Sequence, residues 1–257
     1  MSVAGKLGAA LSRKVAMEFP EHLPFLLSIT LLAGIVRGLT GFGGALVMAP
    51  FFTTSLGSTA SVVVIVLVHM LTSLQGLSHS LRVTEWRAVA PLLMSSIIAL
   101  PLGIWSLHLV DPVLVKRLAG ATCVAFSLAM LLRIGFKAPA TRMKSILVGV
   151  ASGALNGMTG MGGPPAVLYM LSWNNSASGY RANFISFFAI LYGVTFVLLV
   201  LSGAVTWFAC FIAILLVPAY FFATILGSAI FRKVHSDAFI PICSVLLLVV
   251  GLVAVLN

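Results

Sequence analysis

At positions 38–44 the chain reads Gly38-Leu-Thr-Gly-Phe-Gly-Gly44, and at positions 157–163 it reads Gly157-Met-Thr-Gly-Met-Gly-Gly163. Gly34 and Gly153 extend the match upstream with the same separation of 119 positions. Each copy interrupts a long apolar run. A glycine inside a helix costs about 0.8–1.0 kcal/mol relative to Ala, so four glycines in seven residues predict a break in a membrane helix. Paired interruptions of this kind, at corresponding places in two halves, are typical of transporter binding sites.

The composition indicates an integral membrane protein. Hydrophobic residues make up 61% of the 257 residues, charged residues 8%, and the mean hydropathy is +1.17. This is more apolar surface than a water-soluble domain can bury. We predict an all-α polytopic protein with one transmembrane domain over 1–257, because only helices satisfy their own backbone in lipid. Six apolar runs are uninterrupted, at 60–80, 88–109, 113–132, 184–202, 205–230 and 238–256, and two, at 22–56 and 145–173, contain the glycine motifs.

The motifs divide the chain into two four-segment repeats, about 22–133 and 145–256, joined by a short linker. If each interrupted segment crosses the membrane once, the repeats are parallel; if each is re-entrant, they are inverted. The connector 81–87 carries two Arg, whereas its counterpart 201–206 carries none, which is expected when the two face opposite sides. We favour inverted repeats with broken or re-entrant helices at the motifs.

The net charge of +10 does not indicate a nucleic-acid partner. Lys and Arg lie in short connectors, as topology-determining charges do, and residues 2–19 form a weakly amphipathic, interfacial segment. Cys123, Cys210 and Cys243 fall inside apolar runs without nearby His, so we expect no metal, disulfide or cofactor. The expected partners are the lipid bilayer and a small anionic substrate, and a homodimer is left open.

The chemistry is expected where the helices break. After the motifs, apolar runs resume as half-helices at 45–56 and 164–173, the second beginning with two prolines that suit a first helical turn. Each half-helix is about 18 Å long, so its N-terminus would lie deep in the membrane. Free N–H groups and the positive end of the dipole would form a nest for an anion there. The alternative is close helix packing, as in small-xxx-small interfaces, and Gly103, outside the motifs, is expected to tolerate Ala.

The motifs, their positions, the eight segments and the length resemble the TauE/SafE family of sulfite exporters over roughly Phe25 to Leu256. The resemblance implies secondary export of small anions such as sulfite, sulfoacetate and sulfolactate, by a multi-pass protein of the bacterial inner membrane. It places the family's glycine motifs on the residues Gly38, Gly41, Gly43, Gly44, Gly157, Gly160, Gly162, Gly163, Pro164 and Pro165. One departure is that the first half has Ala45-Leu46 where the second has Pro164-Pro165, so the two nests differ.

Polar residues beside the motifs complete the predicted substrate site. An intramembrane Arg37 is a functional candidate whose guanidinium can hold an oxyanion with two donors, although it could instead snorkel to the interface. Asn156 occupies the equivalent repeat position, and Thr40 and Thr159 could donate hydroxyls or back-bond to helix carbonyls. With them we assign to the substrate Gly41, Gly43, Gly44, Gly160, Gly162, Gly163 and Pro164. His69 is a candidate for proton coupling, against the alternative of a satisfied packing residue.

Other functional classes are less well supported. The sequence shows no metal-ligand spacing, paired carboxylates or activated nucleophile, so an enzyme is not predicted. An anion-selective channel is the main alternative, because glycine loops also build filters. A polar cluster follows the second half-helix and is interpreted as an aromatic belt with a polar cap, or alternatively as part of an exit path: Trp173, Asn174, Asn175, Tyr180 and Arg181.

Overall fold

The computed structural model describes residues 23–132, 141–173 and 177–231, together with positions 245, 248, 249 and 252. The predicted interfacial segment at 2–19, most of the linker and most of the last apolar run lie outside these residues. The described part is helical and contains no strand. Its ten helices are α1 Leu23–Thr40, α2 Gly44–Leu56, α3 Ser58–Ser73, α4 Leu77–Val83, α5 Trp86–Leu109, α6 Pro112–Leu131, α7 Arg142–Thr159, α8 Gly163–Leu171, α9 Ala177–Leu201 and α10 Trp207–Phe231.

Within the described residues, five helices are long and apolar enough to cross a membrane: α1, α5, α6, α9 and α10. A sixth span is possible if α3 and α4 are counted together, although they are bent by 78°. The run predicted at 60–80 was therefore wrong as a single straight helix, because it turns at residues 74–76, where Gly76 has φ +71°. The all-α membrane class is confirmed.

The helices break at both motifs, as predicted. α1 ends at Thr40 and α2 begins at Gly44, while α7 ends at Thr159 and α8 begins at Gly163. The short helix α2 is buried along nearly its whole length, whereas the longer helices around it expose large apolar side chains. Exposed apolar residues on an outer ring are what a lipid environment permits. The motifs therefore lie inside the bundle.

Two helix pairs pack so closely that only glycine fits between them. A Cβ built on Gly38 of α1 would lie 2.2 Å from the carbonyl oxygen of Thr224 in α10. A Cβ on Gly157 of α7 would lie 2.6 Å from the carbonyl oxygen of Leu100 in α5. The first apolar segment of each half thus packs on the third apolar segment of the other half, through equivalent positions. This reciprocity supports the predicted repeat.

The close packing of α5 against α7 corrects one expectation. Gly103 lies in the α5–α7 interface, where an added Cβ would be 2.2 Å from the carbonyl oxygen of Ala154. The prediction that Gly103 tolerates Ala was therefore wrong, because the sequence showed its distance from the motifs but not its contact with Gly157. Gly193 in α9, whose added Cβ would meet nothing within 4 Å, is the permissive helical glycine.

The contacts between the long helices define their relative directions through the bundle. Glycines 149, 153 and 157 of α7 contact, in that order, the region from Leu92 to Ile104 of α5, so these two helices are parallel. The order of the contacts that the α1 glycines make with α10 shows in the same way that α1 is parallel to α10. α5 begins beside the start of α9, where the Glu85 N–H donates to Asn183 Oδ1 over 3.0 Å, and α10 ends there, where Arg181 donates to Ser228 Oγ over 3.1 Å. α5 and α10 are therefore antiparallel, and so are α1 and α7.

Candidate functional site

The first motif leaves a helix N-terminus without a side-chain cap. Gly41 and Gly43 adopt φ +80° and +87°, which glycine reaches at little cost and which turns the chain out of α1 into α2. The first hydrogen bond of α2 runs from the Val47 N–H to the Gly43 carbonyl at 3.3 Å. The backbone N–H groups of residues 44, 45 and 46 precede it, where a helix leaves its donors unpaired. This terminus is therefore rich in donors.

The second motif is built differently. Gly160 has φ +72°, but Gly162 has φ −70°, so only space, not backbone conformation, requires glycine there. A Cβ on Gly162 would lie 2.7 Å from Cβ of Asn156, whose Oδ1 accepts the Gly162 N–H at 3.1 Å. Pro164 and its neighbour Pro165 have no N–H, so the first turn of α8 offers only the donor of residue 163. The two motifs are therefore unequal as anion sites.

Both motifs line one small enclosed space, which we call the inner cavity. Its volume is about 20 Å³, close to the room that one water molecule needs. It is lined by Arg37, Gly41, Phe42, Gly43, Gly44, Ala45, Leu46, His69, Met161, Gly163, Phe188 and Tyr192. The remaining assigned residues do not line it: Thr40, Asn156, Thr159, Gly160, Gly162 and Pro164.

The polar side chains among these remaining residues form hydrogen bonds within the protein. Thr40 Oγ1 contacts the carbonyls of Val36 and Phe42 and accepts the Phe42 N–H at 3.0 Å. Thr159 Oγ1 donates to the Leu155 carbonyl at 2.7 Å. Asn156 is fully buried and donates through Nδ2 to Thr195 Oγ1 at 2.8 Å. In this conformation all three hold the helix breaks, and their assignment to the substrate stays a prediction.

Arg37 is the charged group of the inner cavity. It is only 8% exposed, and its Nη2 donates to Ser73 Oγ at 2.6 Å. Its guanidinium carbon lies 5.9 Å from the ring centroid of Tyr220, within cation–π range. Neither of the two acids in the described residues, Glu85 and Asp111, forms an ion pair with it. A buried cation without a carboxylate partner is suited to binding an anion.

His69 lies beside Arg37 in a hydrogen-bonded pair with Tyr220. Nδ1 of His69 is 2.7 Å from the Ile65 carbonyl, and Nε2 is 2.9 Å from the Tyr220 hydroxyl. Because a carbonyl only accepts, Nδ1 carries a proton, and in the neutral ring Nε2 accepts from the Tyr220 hydroxyl. This pair touches the α2 N-terminus, since a Cβ on Gly44 would lie 2.0 Å from the Tyr220 hydroxyl oxygen. The histidine, the tyrosine and the helix terminus therefore form one packed unit.

A second, larger cavity leads to Arg37 from the side on which α3 ends, and we call it the vestibule. Its volume is about 320 Å³, and it shares Arg37 and Gly41 with the inner cavity. Its other lining residues are Thr72, Gln75, Arg181, Ile185, Thr224, Ile225 and Ser228. Among the described residues, two arginines and several hydroxyl and amide groups line this space, and no acid does. It can therefore attract and hydrogen-bond an anion.

Several of these residues were not predicted. Tyr220, Tyr192 and Ser73 lie inside apolar runs, and Tyr220 is 151 positions from the histidine it contacts. A polar aromatic residue in the middle of an apolar run was the only sequence signal for the two tyrosines, and Ser73 gave none. The aromatic-belt interpretation was wrong for Trp173, which is buried. Arg181 lines the vestibule, Asn174 and Asn175 lie outside the described residues, and the alternative of an exit path stays a prediction.

Comparison with known proteins agrees with this arrangement. The profile of the family described as sulfite exporter TauE/SafE matches residues 26–254, which is most of the chain. No curated protein and no solved structure matched the chain. That family consists of membrane transporters rather than enzymes. The resemblance drawn from the glycine motifs is therefore confirmed, and the chain belongs to the sulfite exporter TauE/SafE family.

Proposed function

We propose that the protein is a secondary transporter that exports sulfite or an organosulfonate such as sulfoacetate across the bacterial inner membrane. The anion binds at the N-terminus of α2, against the backbone N–H groups of residues 44–46, with Arg37 as its counter-ion. The observation that carries the proposal is that this uncapped terminus lines the same cavity as the second motif and as a buried arginine that no acid of the described residues pairs with. An oxyanion receives there both dipole stabilisation and charge-assisted hydrogen bonds.

The vestibule is the proposed entry path. Five cations lie at its end of the bundle: Arg82, Arg87, Arg142, Lys144 and Arg181. In the described residues the opposite end has Lys116 and Arg117 at the start of α6. The positive-inside rule then favours a cytoplasmic vestibule. An exporter loads its substrate from that side.

Transport by alternating access is favoured over a channel. The inner cavity has room for about one water molecule, so the path that begins in the vestibule narrows strongly beyond Arg37. The opposite directions of α1 and α7, and of α5 and α10, support inverted repeats, which rock about a central site in many transporters. A channel would instead need a continuous pore. Counterflow separates the two: preloaded sulfite should accelerate entry of labelled sulfite through a transporter and not through a channel.

His69 is the proposed proton-coupling group. It contacts the α2 terminus through Tyr220 and lines the inner cavity, which has room for about one water molecule in this conformation and must widen to admit the anion. A proton on Nε2 would reverse the hydrogen bond to Tyr220 and add positive charge next to the substrate. His69→Gln should then retain sulfite counterflow but lose acceleration by a pH gradient. Equal acceleration in both proteins would assign His69 to packing.

The direct test is sulfite binding to purified protein by thermal shift, with sulfate, sulfoacetate and taurine as comparisons. Any ligand that prefers the folded state raises its apparent stability. Sulfite or sulfoacetate should raise the melting temperature, and Arg37→Gln should abolish the shift. A shift that persists in Arg37→Gln would exclude this site.

A further inference from the structure

A third cavity lies outside the transport path, between the first turns of the parallel helices α5 and α7. Its volume is about 460 Å³, and it is lined by Arg87, Ala88, Pro91, Thr141, Arg142 and Ser145. Both arginines are exposed, and no acid in the described part of the chain lines the cavity. Two arginine side chains that line one space can hold a phosphate with charge-assisted hydrogen bonds. We call this space the basic pocket.

Two tryptophans indicate the depth of the basic pocket in the membrane. Trp86 and Trp105 of α5 are 36% and 66% exposed and stand 19 positions apart. At 1.5 Å per residue this separation is about 28 Å, close to the roughly 30 Å of a hydrocarbon core. Exposed tryptophans concentrate at the two interfaces of a bilayer. Arg87, next to Trp86, therefore lies at the level of the lipid headgroups.

Below the basic pocket an apolar track runs along the two helices. Met94, Ile98 and Leu102 of α5 are exposed and follow Pro91 at helical spacing on one side of the helix. Leu147 and Val150 of α7 are also exposed. A charged pocket at headgroup depth that continues into an exposed apolar track has the two-part character of a phospholipid.

We propose that the basic pocket binds one anionic phospholipid. Its phosphate lies between Arg87 and Arg142, and an acyl chain follows the track of Met94, Ile98 and Leu102. Two arginines without an acid favour a headgroup with net negative charge over a zwitterionic one, whose ammonium they would repel. The lipid clamps α5 to α7, the helix that carries the second glycine motif. The proposal is independent of which anion is transported.

The test counts bound lipid by native mass spectrometry while detergent-solubilised protein is titrated with phosphatidylglycerol. Arg87→Gln/Arg142→Gln should weaken phosphatidylglycerol binding by roughly 30-fold, from the attraction of two interfacial arginines. Arg117→Gln removes one positive charge at the start of α6, at the other end of the bundle, and should bind like the wild type. Arg87→Lys/Arg142→Lys keeps both charges and should lose less than the Gln pair.

Two comparisons identify the ligand. Phosphatidylcholine with the same acyl chains should bind weakly, and glycerol 1-phosphate, which has the phosphate without chains, should not compete at equal concentration. Competition by glycerol 1-phosphate would assign the pocket to a free phosphate instead. Unchanged phosphatidylglycerol binding in the Gln pair, with an unchanged melting temperature, would overturn the proposal.

Discussion

Gly44→Ala adds one methyl group at the point where the candidate site is most crowded. The new Cβ would lie 2.0 Å from the Tyr220 hydroxyl oxygen and 2.9 Å from His69 Nε2, whereas ordinary contacts begin near 3.4 Å. The hydroxyl must therefore retreat by about 1.4 Å, which breaks its 2.9 Å hydrogen bond to His69. Overpacking costs about 1–3 kcal/mol, and leaving Nε2 buried without a partner costs about 1–3 kcal/mol more.

We expect Gly44→Ala to lower the free energy of unfolding by about 2 kcal/mol or more and sulfite affinity at least about tenfold, since 1.4 kcal/mol is a factor of ten. The assays are thermal unfolding of the purified protein and sulfite binding to its folded fraction. Gly193→Ala is the matched control, because the same methyl group meets nothing within 4 Å there. It should leave sulfite affinity unchanged and should not lower the free energy of unfolding, because Ala is favoured over Gly in a helix by about 0.8–1.0 kcal/mol.

Removing the Tyr220 hydroxyl group tests whether its clash with the new Cβ causes the loss of stability. Gly44→Ala/Tyr220→Phe should be more stable than Gly44→Ala alone, because the shortest contact is gone and the two changes are coupled. Some strain will remain, since the new Cβ is also 3.0 Å from Cζ of Tyr220. If Gly44→Ala binds sulfite with wild-type affinity, the α2 terminus is not where the anion binds, and the reasoning is refuted.

Four further predictions follow from the same geometry. Arg37→Gln should abolish sulfite binding while the protein still folds, and Arg37→Lys should be intermediate because it keeps the charge but loses the two-donor fork; equal binding in all three proteins would make Arg37 structural. Ala45→Pro removes one backbone donor from the α2 terminus and should weaken sulfite binding about tenfold, as expected for one hydrogen bond to a charged group; unchanged affinity in a titration would contradict a backbone-held anion. Gly103→Ala should lower the free energy of unfolding by about 1–3 kcal/mol, and with it the melting temperature, because the added Cβ meets the α7 backbone. A wild-type melting curve would mean that α5 and α7 can move apart freely. Arg181→Gln should raise the KM for sulfite at low ionic strength with little change in kcat, if the arginine steers anions into the vestibule; a KM independent of Arg181 at every salt concentration would remove it from the path.

The sequence predicted features that depend on neighbouring residues, and it did not predict contacts between residues far apart in the chain. Four glycines in seven residues disfavour a helix wherever they occur, so the breaks at Gly41 and Gly160 followed from the motifs themselves. The bend at residues 74–76 was missed because a single Gly76 is a weak local signal. The contact of His69 with Tyr220 joins two helices 151 positions apart, and no spacing rule predicts which side chains of two apolar runs will meet. Such contacts are decided by tertiary packing, in which glycines such as Gly38 and Gly157 let helices approach closely.

The two repeats supply similar backbones but different chemistry. At the separation of 119 positions that relates the motifs, Arg37 corresponds to the neutral Asn156, and His69 corresponds to Phe188. The prolines at 164–165 replace two of the N–H donors that the first motif offers. A pair of equal nests would hold an anion midway between them, whereas this pair concentrates charge and donors on the first repeat. The second repeat then contributes the apolar wall of the cavity through Met161 and Phe188. If the repeats rock about the inner cavity, the anion stays with α2 in both states, and α8 with its neighbours moves past it.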